Sequence, residues 1–349
     1  MRPSRVTPTG RDRGRERVTS RRPVSDTRKS ISVVIPAYRS ELSLPSLVRR
    51  LEPVLDSAAS EYELILVDDG SKDGTWSVIE QLARTHTWIK GVELMRNYGQ
   101  HNALLCGIRL ARFELVVTMD DDLQHPPEEI PKLLDRLDPD TDVVYGTPAV
   151  EQHGLWRDVA SQVTKIALQA SMGAPIARKA GAFRLFRTQL REAFASFDGP
   201  NVSIDVLLTW ATVRFAAVEV RHDRRELGAS NYTFRMLARH SLNMITGFSV
   251  WPLQLASLVG LLFTLIGTAT LVYVVVHYLI YGGVVPGFSF LASMIAIFSG
   301  AQLFAVGIIG EYLSRIHLRS MQRPVYAVRE LVESSVPVRE AAAVPSNQR

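Results

Sequence analysis

The chain has 349 residues, 46% of them hydrophobic, a net charge of +5 and one cysteine, Cys106. That length supplies one large domain or two ordinary ones with ample core, and a lone cysteine excludes an intramolecular disulfide and any cysteine-rich zinc site. The charge is uneven: residues 1–30 hold ten Lys/Arg against Asp12, Glu16 and Asp26, or +7, so the rest of the chain carries −2 of the +5.

Residues 1–30 contain no apolar run and read as a disordered, solvated leader, neither signal peptide nor anchor. A basic arm that brushes anionic lipid heads is the alternative. From Ile31 onward apolar strands alternate with amphipathic helices. "ISVVIPAY" from Ile31, "YELILVDDG" from Tyr62, "IKGVELMRN" from Ile89 and "FELVVTMDDD" from Phe113 read as short buried strands that each close in polar or turn residues. Helical patterns cover Leu42 to Leu55, Thr75 to Ala83, His101 to Ala111 and Glu128 to Leu137, and Cys106 falls in the third as a small core residue. Such alternation predicts an α/β domain with a mostly parallel sheet and ligands at the carboxyl ends of its strands. Two carboxylate clusters, Asp68/Asp69 and Asp120 to Asp122, fall at such ends.

No G-x-G-x-x-G follows a strand and no G-x-x-x-x-G-K-[ST] occurs, so the dinucleotide and P-loop readings lose their main support. Carboxylates with a divalent cation are another way to hold a nucleotide's phosphates. If "MDDDLQ" is extended, Asp120, Asp122 and Gln124 face one side and Asp121 the other. One hard cation on the first face would relieve the repulsion among the aspartates. The alternative is a set of solvated strand-end and capping residues. Pro126 and Pro127 stiffen the exit, and Glu128 and Glu129 suit the helix start that follows.

After His240 no Asp, Glu, Lys or Arg appears until Glu311. Leu253 to Ile280 and Phe288 to Ile309 each exceed the ~20 residues that cross a bilayer as a helix, with the glycine-rich turn "YGGVVPG" between them. Arg235 and Arg239 precede this hairpin and Arg315, Arg319 and Arg323 follow it, so the positive-inside bias places both ends in the cytoplasm. "FRMLARHSLNMITGF", Phe234 to Phe248, aligns Phe234, Leu237, Ala238, Leu242 and Ile245 on one stripe, as an interfacial helix would. A core amphipathic helix has the same pattern. The expected domains are a tail at 1–30, a sheet domain at 31–232, the interfacial helix at 233–250, the membrane hairpin at 251–313 (helices about 253–280 and 288–310) and a cytoplasmic C-terminal tail at 314–349.

"VVIPAYRSE", "LVDDGSKDGT", "RNYGQHNALLCGIRLA" and "MDDDLQHPPEEI", in this order and spacing, resemble the family 2 glycosyltransferases of the GT-A fold. With "RRELGASNYTF" and the C-terminal hairpin, the resemblance narrows to the polyprenyl-phosphate glycosyltransferases: dolichol-phosphate mannose synthases, bactoprenol glucosyltransferases and undecaprenyl-phosphate aminoarabinose transferases. It covers roughly Ile31 to Tyr326. It implies a GT-A, Rossmann-like domain followed by interfacial helices and a two-helix transmembrane hairpin in the cytoplasmic membrane. The implied enzyme moves a sugar from a nucleotide donor, UDP-linked in preference to GDP-linked, to undecaprenyl or another polyprenyl phosphate for envelope glycan modification.

Residue by residue, the resemblance implies that Pro36, Ala37, Tyr38 and Glu41 border the base and ribose. Asp68 would hold the base, with Asp69 and Ser71 beside it, and Arg96 and Gln100 would line the donor pocket. Asp120, Asp122 and Gln124 would bind Mg²⁺ or Mn²⁺ and the diphosphate, with Asp122 and Arg225 the catalytic pair. Arg225, Gly228 and Ser230 would bind the acceptor phosphate, with Arg184 as a further ligand. The resemblance also implies a homo-oligomer, a tetramer among relatives, and no nucleic-acid partner. Two departures stand out. Asp121 replaces a common alanine, an extra charge expected to point outward. Arg178 and Lys179 stand before Gly181 where relatives carry an acid. A processive polysaccharide synthase would add a Q-x-x-R-W element and more spans, and neither is present; a non-catalytic membrane scaffold is the rival from another class.

Overall fold

The computed structural model describes residues 28–148, 180–199, 202–223, 251–282 and 287–334. In chain order these form β1 (Lys29–Ala37), α1 (Leu44–Ala58), β2 (Ala59–Asp68), α2 (Thr75–Thr85), β3 (Ile89–Leu94), α3 (Gln100–Leu110) and β4 (Leu115–Thr118). A 3₁₀ turn (Pro127–Glu129), α4 (Ile130–Arg136), β5 (Val143–Pro148), β6 (Arg184–Arg187), a 3₁₀ helix (Thr188–Phe194), α5 (Ile204–Ala211) and β7 (Phe215–Val220) complete the N-terminal part. Two long helices, α6 (Trp251–Tyr281) and α7 (Phe288–Ser320), and a last strand, β8 (Val328–Glu333), follow.

The described strands make one sheet in the order β7-β5-β6-β4-β1-β2-β3-β8. β3, β2, β1 and β4 pair in parallel, β5 pairs in parallel with β7, and β6 and β8 run antiparallel to their neighbours. The mostly parallel expectation therefore holds, within a mixed sheet. Near-continuous apolar runs are what a strand covered on both faces requires. In β1, Val33 and Ile35 join α1 residues Leu44, Leu47 and Leu51 on one face, while Val34 packs with α3 residues Leu104, Leu105 and Ile108 on the other. Gly107 lets α3 approach, since a Cβ there would lie 2.4 Å from Val34 Cγ1.

Three expectations are corrected. First, "FELVVTMDDD" is not extended throughout: β4 stops at Thr118, and residues 121 and 122 form a turn followed by Leu123 at φ 60°. Period-two alternation cannot pass through a turn, so it does not sort Asp120, Asp122 and Gln124 onto one face. Second, the later long helix continues past 310 to Ser320, because Glu311, Arg315 and Arg319 extend it beyond its apolar part and Glu311 pairs with Arg315 at i,i+4. Third, 314–349 is not all tail, since β8 completes the edge of the sheet against β3.

Leu253–Tyr281 and Ile297–Ser320 are long and apolar enough to cross a membrane. Side chains such as Leu258, Leu265, Leu279, Leu303 and Ile309 point outward, a surface that lipid accommodates and water does not. α6 and α7 meet through Phe263 and Phe298, whose rings stand edge to face at 5.6 Å, over Gly267. The chain thus leaves the sheet after β7, runs out and back along two apolar helices, and rejoins the same sheet as β8.

Candidate functional site

The parallel strands β1, β2 and β4 end side by side, with Ala37 of β1 opposite Asp68 of β2. Asp68 is fully buried and accepts hydrogen bonds from the Ser71 hydroxyl at 2.5 Å and the Ser71 backbone N–H at 3.2 Å. Burial raises its pKa above the ordinary carboxylate value, against the pull of those bonds. Ser71 Oγ also accepts from Arg39 N at 3.0 Å, which ties the exit of β1 to the exit of β2. Pro36 and Ala37 line the end of β1, and the Tyr38 side chain is 44% exposed at its rim. Glu41 accepts from Gly74 N at 2.8 Å and so covers the N-terminus of α2, where a carboxylate is favoured.

Asp69 is placed differently from the expectation. Its two oxygens accept the backbone N–H groups of Tyr98 at 2.7 Å and Gly99 at 2.8 Å. It therefore latches the β3–α3 loop, with both oxygens committed to main chain. Gly70 allows this contact: it sits at φ +65°, and a Cβ there would lie 2.4 Å from the Arg96 carbonyl carbon. The Arg96 guanidinium lies over the Tyr98 ring at 4.4 Å.

The same loop delivers Gln100, first residue of α3, whose Nε2 donates to Asp120 Oδ1 at 2.6 Å. Two motifs 20 residues apart in sequence meet there. Asp122 Oδ1 accepts Gln124 N at 3.1 Å, a local Asx turn that shapes the bend after β4. Asp121 corrects the outward-pointing expectation: its carboxylate accepts a short hydrogen bond from the Ser40 hydroxyl. Burial raises its pKa, and the neighbouring Asp122 charge acts in the same direction. Ser40 also receives Tyr38 N at 3.1 Å and gives its own N–H to Thr75 Oγ1 at 2.8 Å, so it joins the exits of β1, β2 and β4. Sequence reasoning missed Ser40. The available signal was a hydroxyl just after β1 and an aspartate in excess of the pair a cation needs.

Arg184 is also corrected. It is 1% exposed, its Nη1 lies 2.6 Å from Asp205 Oδ1, and the Tyr145 hydroxyl donates to that same oxygen at 3.0 Å. This buried pair joins β5, β6 and α5, and the guanidinium does not face an open phosphate site among the described residues. Arg225, Gly228, Ser230 and the interfacial helix at 233–250 lie outside the described residues. The strand that leads to them is fixed beside the acidic turn: Asp223 N donates to Gln124 O at 2.8 Å, and Arg221 N to Glu129 Oε2 at 3.1 Å. His125 lies between Phe183 and His222, at 5.4 and 4.9 Å between rings, and burial pushes its imidazole down to about 4.

Among the described residues no three His, Cys, Asp or Glu side chains cluster as a ready-made metal cage. Asp120 and Asp122 lie two residues apart at this bend, and two carboxylates are what Mg²⁺ commonly uses when substrate phosphates and water complete its shell. With Asp121 turned to Ser40, the turn offers two carboxylates and not three.

Residues 32–194 match the family model described as glycosyl transferase family 2. Over 307 residues the chain is 34% identical to the undecaprenyl-phosphate 4-deoxy-4-formamido-L-arabinose transferase of Photorhabdus laumondii subsp. laumondii, a match covering 87% of this chain and 94% of that one. Among solved structures, glucosyl-3-phosphoglycerate synthase from Mycobacterium tuberculosis in complex with Mn²⁺, UDP-glucose and phosphoglyceric acid is 20% identical with a TM-score of 0.48, covering 62% of this chain and 78% of that one. Mannosyl-3-phosphoglycerate synthase from Rubrobacter xylanophilus is 16% identical with a TM-score of 0.43, covering 61% and 70%.

Proposed function

The chain belongs to the family 2 glycosyltransferases that act on polyprenyl phosphate, and on that premise we propose that it moves a sugar from a UDP-linked donor to undecaprenyl phosphate, with inversion at the anomeric carbon. The observation that carries this reading is the meeting of Gln100 with Asp120 at the carboxyl ends of the parallel strands, beside the buried Asp68. Pro36, Ala37, Tyr38 and Asp68 border the base and ribose, with Ser71 holding Asp68 and Glu41 holding the start of α2. Asp69 acts from behind, through the loop that presents Arg96 and Gln100.

Asp120 and Asp122, with Gln124, hold Mg²⁺ or Mn²⁺ when it is bound. The cation then supplies positive charge against the donor diphosphate and the departing nucleotide. The acceptor phosphate has a second pKa near about 6 by analogy with phosphorylated side chains, so at neutral pH it is mostly dianionic and needs little help from a general base. Its difficulty is approach to another anion. Arg225 offers a bidentate guanidinium to it, with Gly228 and Ser230 completing the cradle. Support for this role comes from the last described residue before them, Asp223, which is hydrogen-bonded to the acidic turn at Gln124. The phosphate oxygen forms a bond to the anomeric carbon as the bond from that carbon to the nucleotide's diphosphate oxygen breaks, and the electron pair leaves with the nucleotide.

The membrane helices fit an acceptor that cannot leave the bilayer surface. On this reading the sheet and both ends of the hairpin lie on the cytoplasmic side of the cytoplasmic membrane, and the chains assemble as a homo-oligomer, a tetramer.

The test is a panel of labelled UDP- and GDP-sugars supplied to the purified full chain with undecaprenyl phosphate and Mg²⁺ or Mn²⁺. A lipid-extractable product of inverted configuration from one UDP-sugar is expected. Asp122→Asn should lower its formation by on the order of 100-fold or more, the scale of losing preorganised charge stabilisation. Arg225→Ala should chiefly raise the KM for the lipid. No product from any sugar, or full activity of Asp122→Asn, overturns the reading.

A further inference from the structure

The segment that follows α7 does more than end the chain. From Arg323 it passes beside the Arg96–Tyr98 stretch and Asn102, enclosing a recess of about 260 Å³ that Leu318 at the end of α7 also lines. Ala327 O accepts Met95 N at 2.9 Å, and Arg329 donates to Glu93 Oε1 at 2.9 Å and to Met95 O at 3.1 Å. Tyr326 packs on α3: its ring lies 5.6 Å from the Arg109 guanidinium, its hydroxyl accepts from Arg109 Nη1 at 3.4 Å, and it meets the buried Cys106 thiol. Asp69 and Gly70 hold the β3–α3 loop from one side. The returning segment holds both the loop's first residue, Met95, and the body of α3 from the other. Gln100, which reaches Asp120, is the junction of that loop and that helix.

We propose that Tyr326 is a positioning residue for the donor site, anchoring on α3 the returning segment that holds Met95, so that Gln100 meets Asp120, and thereby tying the membrane hairpin to donor binding. This rests on the reading of Gln100 and Asp120 as donor-site residues. The physical basis is leverage: a loop and helix start fixed at both flanks leave Gln100 little freedom, and freeing one flank returns that freedom. The segment enters directly from α7, so a displacement of the membrane helix relative to the sheet would be felt at Met95 before any other part of the donor site.

The test uses the full chain in detergent and a thermodynamic cycle. Tyr326→Ala should raise the donor KM by on the order of tenfold and leave the acceptor KM unchanged, the scale expected of misplacement remote from the chemistry. Tyr326→Phe keeps the ring on α3 and should stay within about twofold of the parent. Because Tyr326 acts through Gln100, Tyr326→Ala in a Gln100→Ala background should add no further loss. Additive losses, an equal rise in acceptor KM or an unchanged donor KM each overturn the proposal. Hydrogen exchange at Met95–Gln100 is a readout independent of turnover, and it should speed up in Tyr326→Ala; unchanged exchange also overturns the proposal. If Tyr326→Ala does not fold, Arg329→Met removes the bonds to Glu93 and Met95 from an exposed position and should give the same donor-selective loss. A parent chain that transfers nothing from any nucleotide sugar while exchange responds as expected would sink the proposed function and leave the clamp standing.

Discussion

Glu63 has no exposed surface and holds four donors: Ser32 Oγ at 2.7 Å, Arg112 N at 2.7 Å, Arg112 Nε at 2.9 Å and Lys90 Nζ at 3.3 Å. Burial alone would raise its pKa, but these bonds and charges outweigh burial and hold it below the usual carboxylate value. The folded state therefore binds its proton less readily than the unfolded chain. Its stabilisation is fully present above the unfolded pKa and is lost as pH falls through the folded one. Glu63→Gln should cost about 3 kcal/mol at neutral pH, as breaking a buried pair does. Native-state hydrogen exchange of β2 amides would measure this, and the cost should shrink on acidification below the ordinary glutamate range. A pH-independent cost would refute the charge argument. Gly70→Ala tests a different constraint. The left-handed backbone costs about 1–2 kcal/mol with a Cβ, and the contact with Arg96 forces the loop to move. Donor KM should rise while acceptor KM holds. At this scale the sequence was a good guide to which residues stand at the strand ends and a poor one to the directions of their side chains. Asp121 was marked as the odd carboxylate, yet its carboxylate bonds to Ser40, because a turn replaces the extended segment that the alternation assumed.

The β3–α3 loop is the element on which the site turns. Its conformation depends on two backbone N–H groups reaching Asp69, and charge-assisted bonds of this kind contribute more than neutral ones. Asp69→Asn presents an amide N–H₂ to one of those donors. Exchange at Tyr98 and Gly99 should quicken by on the order of tenfold or more, matching the loss of a hydrogen bond to a charged group. Exchange that stays slow would show that the returning strand alone holds the loop. Strand and helix identities from β1 to α4 were legible because buried parallel strands and amphipathic helices carry opposite periodicities. Their ends were less so: β4 is shorter than its apolar pattern and α7 longer, since ends are set by side-chain partners such as Ser40 for Asp121 and Glu311 for Arg315.

At the scale of the whole molecule, β8 decides the topology. A strand hydrogen-bonded into the edge of the sheet cannot lie across a membrane from it, so on the proposed reading the two apolar helices leave and return on one side. Gly282→Cys at the turn should react with an impermeant maleimide in intact cells, and Ser334→Cys only after permeabilisation. Equal reactivity at both would refute a spanning hairpin. Cys106 will not confuse the result, because burial pushes its thiol up to about 12. The sequence by itself determined the alternating α/β plan, the acidic and Asp/Gly motifs at strand ends and the two long apolar helices, since each is written in local periodicity and composition. Only the tertiary structure decided that Gln100 meets Asp120, that Asp69 serves the backbone, that Arg184 is buried against Asp205 and that the segment behind the two apolar helices closes the sheet. Those are contacts between residues remote in sequence, and no local pattern encodes which of many possible partners a side chain will meet.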